Sequence, residues 1–91
     1  MLNVTNAALK QLNSRLITQS ATEDTALRFK RREKRWRLEP DRERPGDVTF
    51  ASDGRNVLLL DESIAQATAN WVLDVRSTSM GPRLNLRRAD A

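Results

Sequence analysis

Leu27-Arg28-Phe29-Lys30-Arg31-Arg32-Glu33-Lys34-Arg35-Trp36-Arg37-Leu38 is the stretch that decides the fold. Apolar and basic residues alternate on both sides of its centre, the period of a half-buried strand. A two-residue turn at Arg32-Glu33 sets Arg31 opposite Lys34, Phe29 opposite Trp36 and Leu27 opposite Leu38. One face of the ribbon is then Leu27, Phe29, Trp36 and Leu38, a surface fit for a core. The other face pairs Arg28 with Arg37 and Lys30 with Arg35, and is entirely cationic.

Charge concentrates around this ribbon. Arg28 to Arg44 holds nine basic and four acidic residues, a net +5, whereas the whole chain carries a net +4. On the carboxyl side, Glu39 to Gly46 contains Pro40, Pro45 and Gly46 among charged residues and reads as a loop. Asp47–Ser52 and Arg55–Leu60 then flank Asp53-Gly54, the turn pair that tolerates positive φ at both central positions of a hairpin. Val57 to Leu60 is continuously apolar, as a strand covered on both faces must be. Asp61-Glu62-Ser63 starts a helix that runs to about Asn70, with acids where the helix dipole favours them. Trp71, Leu73 and Val75 alternate with Asp74 and Arg76 in a further strand. Ser77–Pro82 reads as a loop, and Leu84 and Leu86 mark a last short strand.

On the amino side, Asn3–Gln19 reads as a helix capped by Thr5 or Asn6, with Ala8, Leu9, Leu12 and Leu16 in one apolar stripe. Ser20–Thr25 reads as a loop. Phe29, Trp36, Phe50, Val57, Leu59, Ile64, Trp71 and Leu73 are the expected core. There is no internal repeat, and residues 1–91 form a single domain.

The 91 residues include no cysteine and no histidine. Thiolate metal sites, thiol redox chemistry and histidine-based catalysis are thereby excluded for these residues. Ser77, Thr78 and Ser79 have no histidine to activate them. Asp61-Glu62 is accounted for by the helix start, and Asp41-Arg42-Glu43 by a solvated loop, so no acid–base pair is left and no enzyme is expected. No apolar run approaches the roughly 20 residues of a membrane span. Residues 1–8 carry no basic segment ahead of an apolar run, so a cytoplasmic protein is expected.

The order helix, hairpin, hairpin, helix, strand, loop, short strand resembles the A-type iron–sulfur carriers, the HesB/IscA-like family. Four phrases carry the likeness: Val4-Thr5 with Ala7-Ala8; Gly46-Asp47-Val48-Thr49-Phe50 with Asp53-Gly54; Val57-Leu58-Leu59-Leu60-Asp61 with Ser63; and Leu73-Asp74-Val75 with Met80-Gly81-Pro82-Arg83-Leu84. The resemblance implies an α+β fold of mainly antiparallel strands, curled into a barrel-like sandwich carrying two helices. It also implies three cysteine ligands, one in the early hairpin loop and two in a Cys-Gly-Cys beyond Arg87-Arg88-Ala89-Asp90-Ala91. The early loop here is Arg32-Glu33-Lys34, so no ligand transfers and no cofactor is expected.

A degenerate, non-enzymatic carrier relative acting through protein contacts is therefore the expected function. Its expected contact surface is Arg28, Lys30, Arg35 and Arg37. The plain reading of this face is a solvated one, neutralised by Glu39, Asp41 and Glu43. The sharper readings are an acidic protein partner or, alternatively, nucleic acid. The resemblance also implies association with a second copy of the chain.

Overall fold

The structure is a computed structural model and describes residues 1–19 and 22–89. Strand β1 (Asn3–Val4) leads into helix α1 (Asn6–Thr18), followed by β2 (Thr25–Arg32), β3 (Arg35–Arg42), β4 (Val48–Ser52) and β5 (Arg55–Leu60). Helix α2 (Glu62–Ala67), β6 (Trp71–Thr78) and β7 (Gly81–Arg88) complete the order. The strands form two sheets, one ordered β3-β2-β5-β4 and the other β1-β6-β7. Three antiparallel hairpins, β2/β3, β4/β5 and β6/β7, are joined by two parallel pairings, β2/β5 and β1/β6. The α+β class holds; among the described residues the strands form no closed barrel, the two sheets leaving edges at β3, β4, β1 and β7.

Helix α1 binds the two sheets together, packing on β2, β4 and β5 of one and β6 of the other. Its stripe of Ala8, Leu12 and Leu16 is fully buried and meets Leu27, Phe29, Val57, Leu58, Leu60 and Leu73 in one cluster. Each buried Leu contributes about 1.5–3 kcal/mol of transfer free energy. The run Val57–Leu60 is wholly inaccessible, and both helices pack on β5. Of the expected core, Phe29, Val57, Leu59 and Leu73 are buried, while Trp36, Phe50, Ile64 and Trp71 lie half-buried against the cluster.

Local chemistry explains most boundaries. Thr5 caps α1, its Oγ1 accepting from the Ala8 N–H at 3.2 Å, and Asp61 caps α2 by accepting from the Ile64 N–H at 2.8 Å. Asp53 (φ 53°) and Gly54 (φ 78°) form the expected hairpin turn. Four expectations are corrected. Asn3 and Val4 are not helical but extended, because β6 offers Val72 and Leu73 as parallel partners. Pro40 lies inside β3 rather than a loop, which an edge strand permits since its missing N–H faces no neighbour. The Ser77–Pro82 loop shrinks to a Ser79-Met80 turn, because Thr78 pairs with Gly81 and Pro82 sits on the edge strand β7. Helix α2 stops at Ala67, where the Thr68 hydroxyl donates to the Ile64 carbonyl at 2.8 Å. Of the Ser20–Thr25 loop, residues 20 and 21 lie outside the described residues, as do residues 90 and 91 of the terminus; Thr25 already belongs to β2.

Candidate functional site

The basic hairpin turns one residue later than the sequence suggests. Glu33 (φ 48°) and Lys34 (φ 68°) occupy the turn, and Arg32 pairs with Arg35. Moving the turn by one residue shifts every partner by two, so each side chain keeps its face while every cross-strand pair changes. Phe29 now faces Leu38, Lys30 faces Arg37, and Arg28 faces Glu39.

That change decides the fate of Arg28, which is a correction to the expected contact surface. Its side chain is only 3% exposed. Nε donates to Asp41 Oδ2 at 2.7 Å, Nη1 to Asp47 Oδ1 at 2.9 Å, and Nη2 to Asp47 Oδ2 at 2.6 Å and the Arg42 carbonyl at 3.1 Å. The hydrogen bonds that Arg28 donates to Asp47 foremost, with the one to Asp41, outweigh burial and hold the guanidinium charged. In return Arg28 holds the Asp47 carboxyl below its ordinary range. Asp41 is lowered first by the Arg42 backbone N–H and then by Arg28. Arg28 thus ties β2 to the β3–β4 connection and offers nothing to a partner. Asp41, expected in a solvated loop, is a strand residue inside this network.

Lys30 is half-buried and its Nζ lies 3.0 Å from Glu39 Oε2, while Arg32 Nε lies 3.4 Å from Glu39 Oε1. The Lys30 hydrogen bond leads the causes that lower the Glu39 carboxyl. Arg35 and Arg37 differ from both. They are exposed, and neither meets a carboxylate within ion-pair distance among the described residues. With Arg32, Glu33 and Glu39 they line a shallow depression of about 340 Å³. On the opposite face Trp36 stacks on Phe29, with ring centroids 4.7 Å apart, and the Arg31 guanidinium sits 5.1 Å from the Trp36 centroid.

A cavity of about 740 Å³ lies at the other end of the same hairpin. Ala26 and Leu59 belong to its lining, with Glu23, Asp24, Arg42, Asp53 and Arg55 around them. Several of these charges are already engaged. Arg42 lies 3.4 Å from Asp24, and Arg55 donates to the Thr22 and Thr25 carbonyls.

An iron–sulfur cluster does not fit the residues present. The chain offers no thiolate, and among the described residues no group of three His, Cys, Asp or Glu side chains could hold a metal ion. Asp41 and Asp47 are turned onto Arg28, and Asp61 onto the Ile64 N–H and the Ser63 hydroxyl. Sequence reasoning missed Asp47 as the principal partner of Arg28. Its only signal was a lone acid just after the Pro45-Gly46 break, facing a basic strand.

Three solved structures share this fold over nearly its whole length. The crystal structure of IscA with its 2Fe–2S cluster has a TM-score of 0.61 at 20% identity, covering 100% of this chain and 87% of that one. Escherichia coli SufA, described as involved in biosynthesis of iron–sulfur clusters, has a TM-score of 0.68 at 17% identity, covering 99% and 87%. A protein from Aquifex aeolicus, solved by solution NMR, has a TM-score of 0.62 at 18% identity, covering 96% and 90%. No protein-family model matches the sequence, and no curated protein does either. At these identities the likeness is one of fold: the chain has the architecture of IscA and SufA, without any cysteine.

Proposed function

We propose that this chain is a non-enzymatic scaffold of the A-type carrier fold, which binds an acidic partner protein instead of a cluster. The observation that carries the reading is the contrast between the two strands of one hairpin, β2 and β3. Arg28 and Lys30 are paired with carboxylates, whereas Arg35 and Arg37 stand exposed on the open edge of the sheet with no carboxylate within ion-pair distance among the described residues. An edge strand lined with arginine repels another bare strand edge and attracts carboxylates. The contact surface is therefore Arg35 and Arg37, flanked by Arg32 and Lys30. A second copy of the chain would have to bring acids to the same edge.

Nucleic acid is the weaker reading. Single strands bind through bases stacked on free aromatic faces, and Trp36 is half-buried with Phe29 and Arg31 against its ring.

Binding of a fluorescent Glu/Asp-rich peptide, compared with single-stranded DNA of equal charge, tests the proposal by anisotropy at low salt. Arg35→Glu with Arg37→Glu should weaken peptide binding by about tenfold or more, since rim pairs contribute up to about 1 kcal/mol each and reversal adds repulsion. Unchanged peptide affinity in that variant, or preference for the DNA, overturns the reading. Anaerobic incubation with iron and sulfide should leave no bound iron on the chain; stoichiometric iron would contradict the scaffold reading.

A further inference from the structure

Three pairs of basic residues face each other directly across the hairpins: Lys30 with Arg37, Arg32 with Arg35, and Arg76 with Arg83. Like charges set opposite in an antiparallel pair repel at close range. Glu39 relieves the first two pairs by contacting Lys30 and Arg32. The third has no such relief. Arg76 and Arg83 are exposed, and neither makes an ion pair or side-chain hydrogen bond among the described residues. The carboxylate two rungs away on the same face, Asp74, is already occupied: it accepts from Thr5 Oγ1 and the Val75 N–H at 2.8 Å and lies 3.6 Å from Arg87 Nη2.

The surroundings of this pair are built rather than loose. A depression of about 350 Å³ is lined by Arg76, Ser77, Thr78, Arg83, Leu84 and Asn85, which includes hydroxyl and amide donors and no carboxylate. The turn beyond it is held by Thr78 Oγ1, which donates to the Gly81 carbonyl at 2.6 Å and accepts from the Met80 N–H at 3.2 Å. Gly81 supplies the φ of 104° that the turn needs. This fixed tip projects Met80, 81% exposed, at the end of the same hairpin.

We propose that Arg76 and Arg83 clamp a phosphate group on the outer face of the β6–β7 hairpin, with Thr78 and Asn85 bordering the site. Two arginines on one rung, lining one depression, can offer their guanidinium donors to the several acceptor oxygens of a phosphate, whose charge removes their repulsion. The phosphate has two sources in reach of this geometry. It is either free in solution or carried by a lipid headgroup, in which case Met80 enters the interface beside it. The site shares no residue with the Arg35–Arg37 edge and stands or falls separately.

Titration of the isotopically labelled chain with inorganic phosphate, read by NMR at the 76–85 amides and arginine Nε–H signals, gives the first arm. Co-sedimentation with phosphatidylcholine vesicles, with and without phosphatidic acid, gives the second. Phosphate shifts confined to the hairpin support the clamp when Arg76→Gln with Arg83→Gln weakens them at least tenfold and Arg35→Gln with Arg37→Gln leaves them intact. Phosphatidic-acid-dependent sedimentation lost in Arg76→Gln/Arg83→Gln and reduced in Met80→Ser assigns the lipid source. Phosphate shifts without vesicle binding assign the free anion. Absence of both responses, or responses that persist without the two arginines, overturns the proposal.

Discussion

Arg28 and Asp47, nineteen residues apart, meet through two parallel contacts of 2.9 and 2.6 Å, with both side chains only 3% exposed. Two charges taken out of water this completely cost several kcal/mol each, offset only because every guanidinium nitrogen has an acceptor. The pair therefore stabilises the native state weakly in net terms and punishes its own disruption heavily. Arg28→Ala should lower unfolding free energy by about 3–5 kcal/mol, because it strands Asp47 and Asp41. Arg28→Met with Asp47→Leu should recover a substantial part of that loss. Urea denaturation followed by tryptophan fluorescence measures both.

Acid should find the same network. Asp47, Asp41, Asp61 and Asp74 all titrate below the ordinary carboxylate range, held down chiefly by Arg28, the Arg42 N–H, the Ile64 N–H and the Val75 N–H respectively. The unfolded chain, with Asp near 3.9, takes up protons at higher pH than the folded one. Stability is thus fully present above about pH 5 and declines as pH falls through the lowered native values. Urea midpoints should be level between about pH 5 and 7 and drop steeply below about pH 4. Asp47→Asn should be less stable at neutrality and show a shallower acid limb.

The basic hairpin carries removable strain. Glu33 and Lys34 both hold positive φ without being glycine, at a cost of about 1–2 kcal/mol per residue before local compensation. Glu33→Asn with Lys34→Gly supplies the pair this turn prefers. The double variant should raise the thermal midpoint by several degrees, about 4–8 °C per kcal/mol in a domain this size. Its affinity for acidic peptide should be preserved, since Arg35 and Arg37 keep their places.

Thr5 joins the two ends of the chain as well as capping α1. Its Oγ1 donates to Asp74 Oδ1 at 2.8 Å and accepts from the Ala8 N–H at 3.2 Å. Thr5→Val keeps the shape and removes both bonds, which should cost about 1–3 kcal/mol in chemical denaturation. Thr5→Ser should retain most of the stability.

The parts of this fold legible in the sequence are those settled within a few residues. Asp53-Gly54 announces its own turn, Asp61 its own helix, and the alternation around Phe29 and Trp36 assigns faces whatever the register. The parts that escaped depend on distant partners. Nothing near Glu33 and Lys34 signals that two charged residues will adopt positive φ. Asn3 and Val4 become a strand only because β6 lies beside them. Arg28 reads as one more surface cation until Asp41 and Asp47 are folded over it. The same blindness hid the Arg76–Arg83 pair, which exists only once β6 continues past Arg76 and β7 returns along it.

Strand β1 is two residues long and hydrogen-bonds in parallel to Val72 and Leu73, near the other end of the sequence. The stripe of Ala8, Leu12 and Leu16 on α1 can be covered by β2 and β5 as those strands are made, but the partner of β1 lies some seventy residues further along the chain. Pairing of β1 with β6 is therefore a contact of high sequence separation, whose loop-closure entropy makes it a late step of folding rather than a nucleus for it.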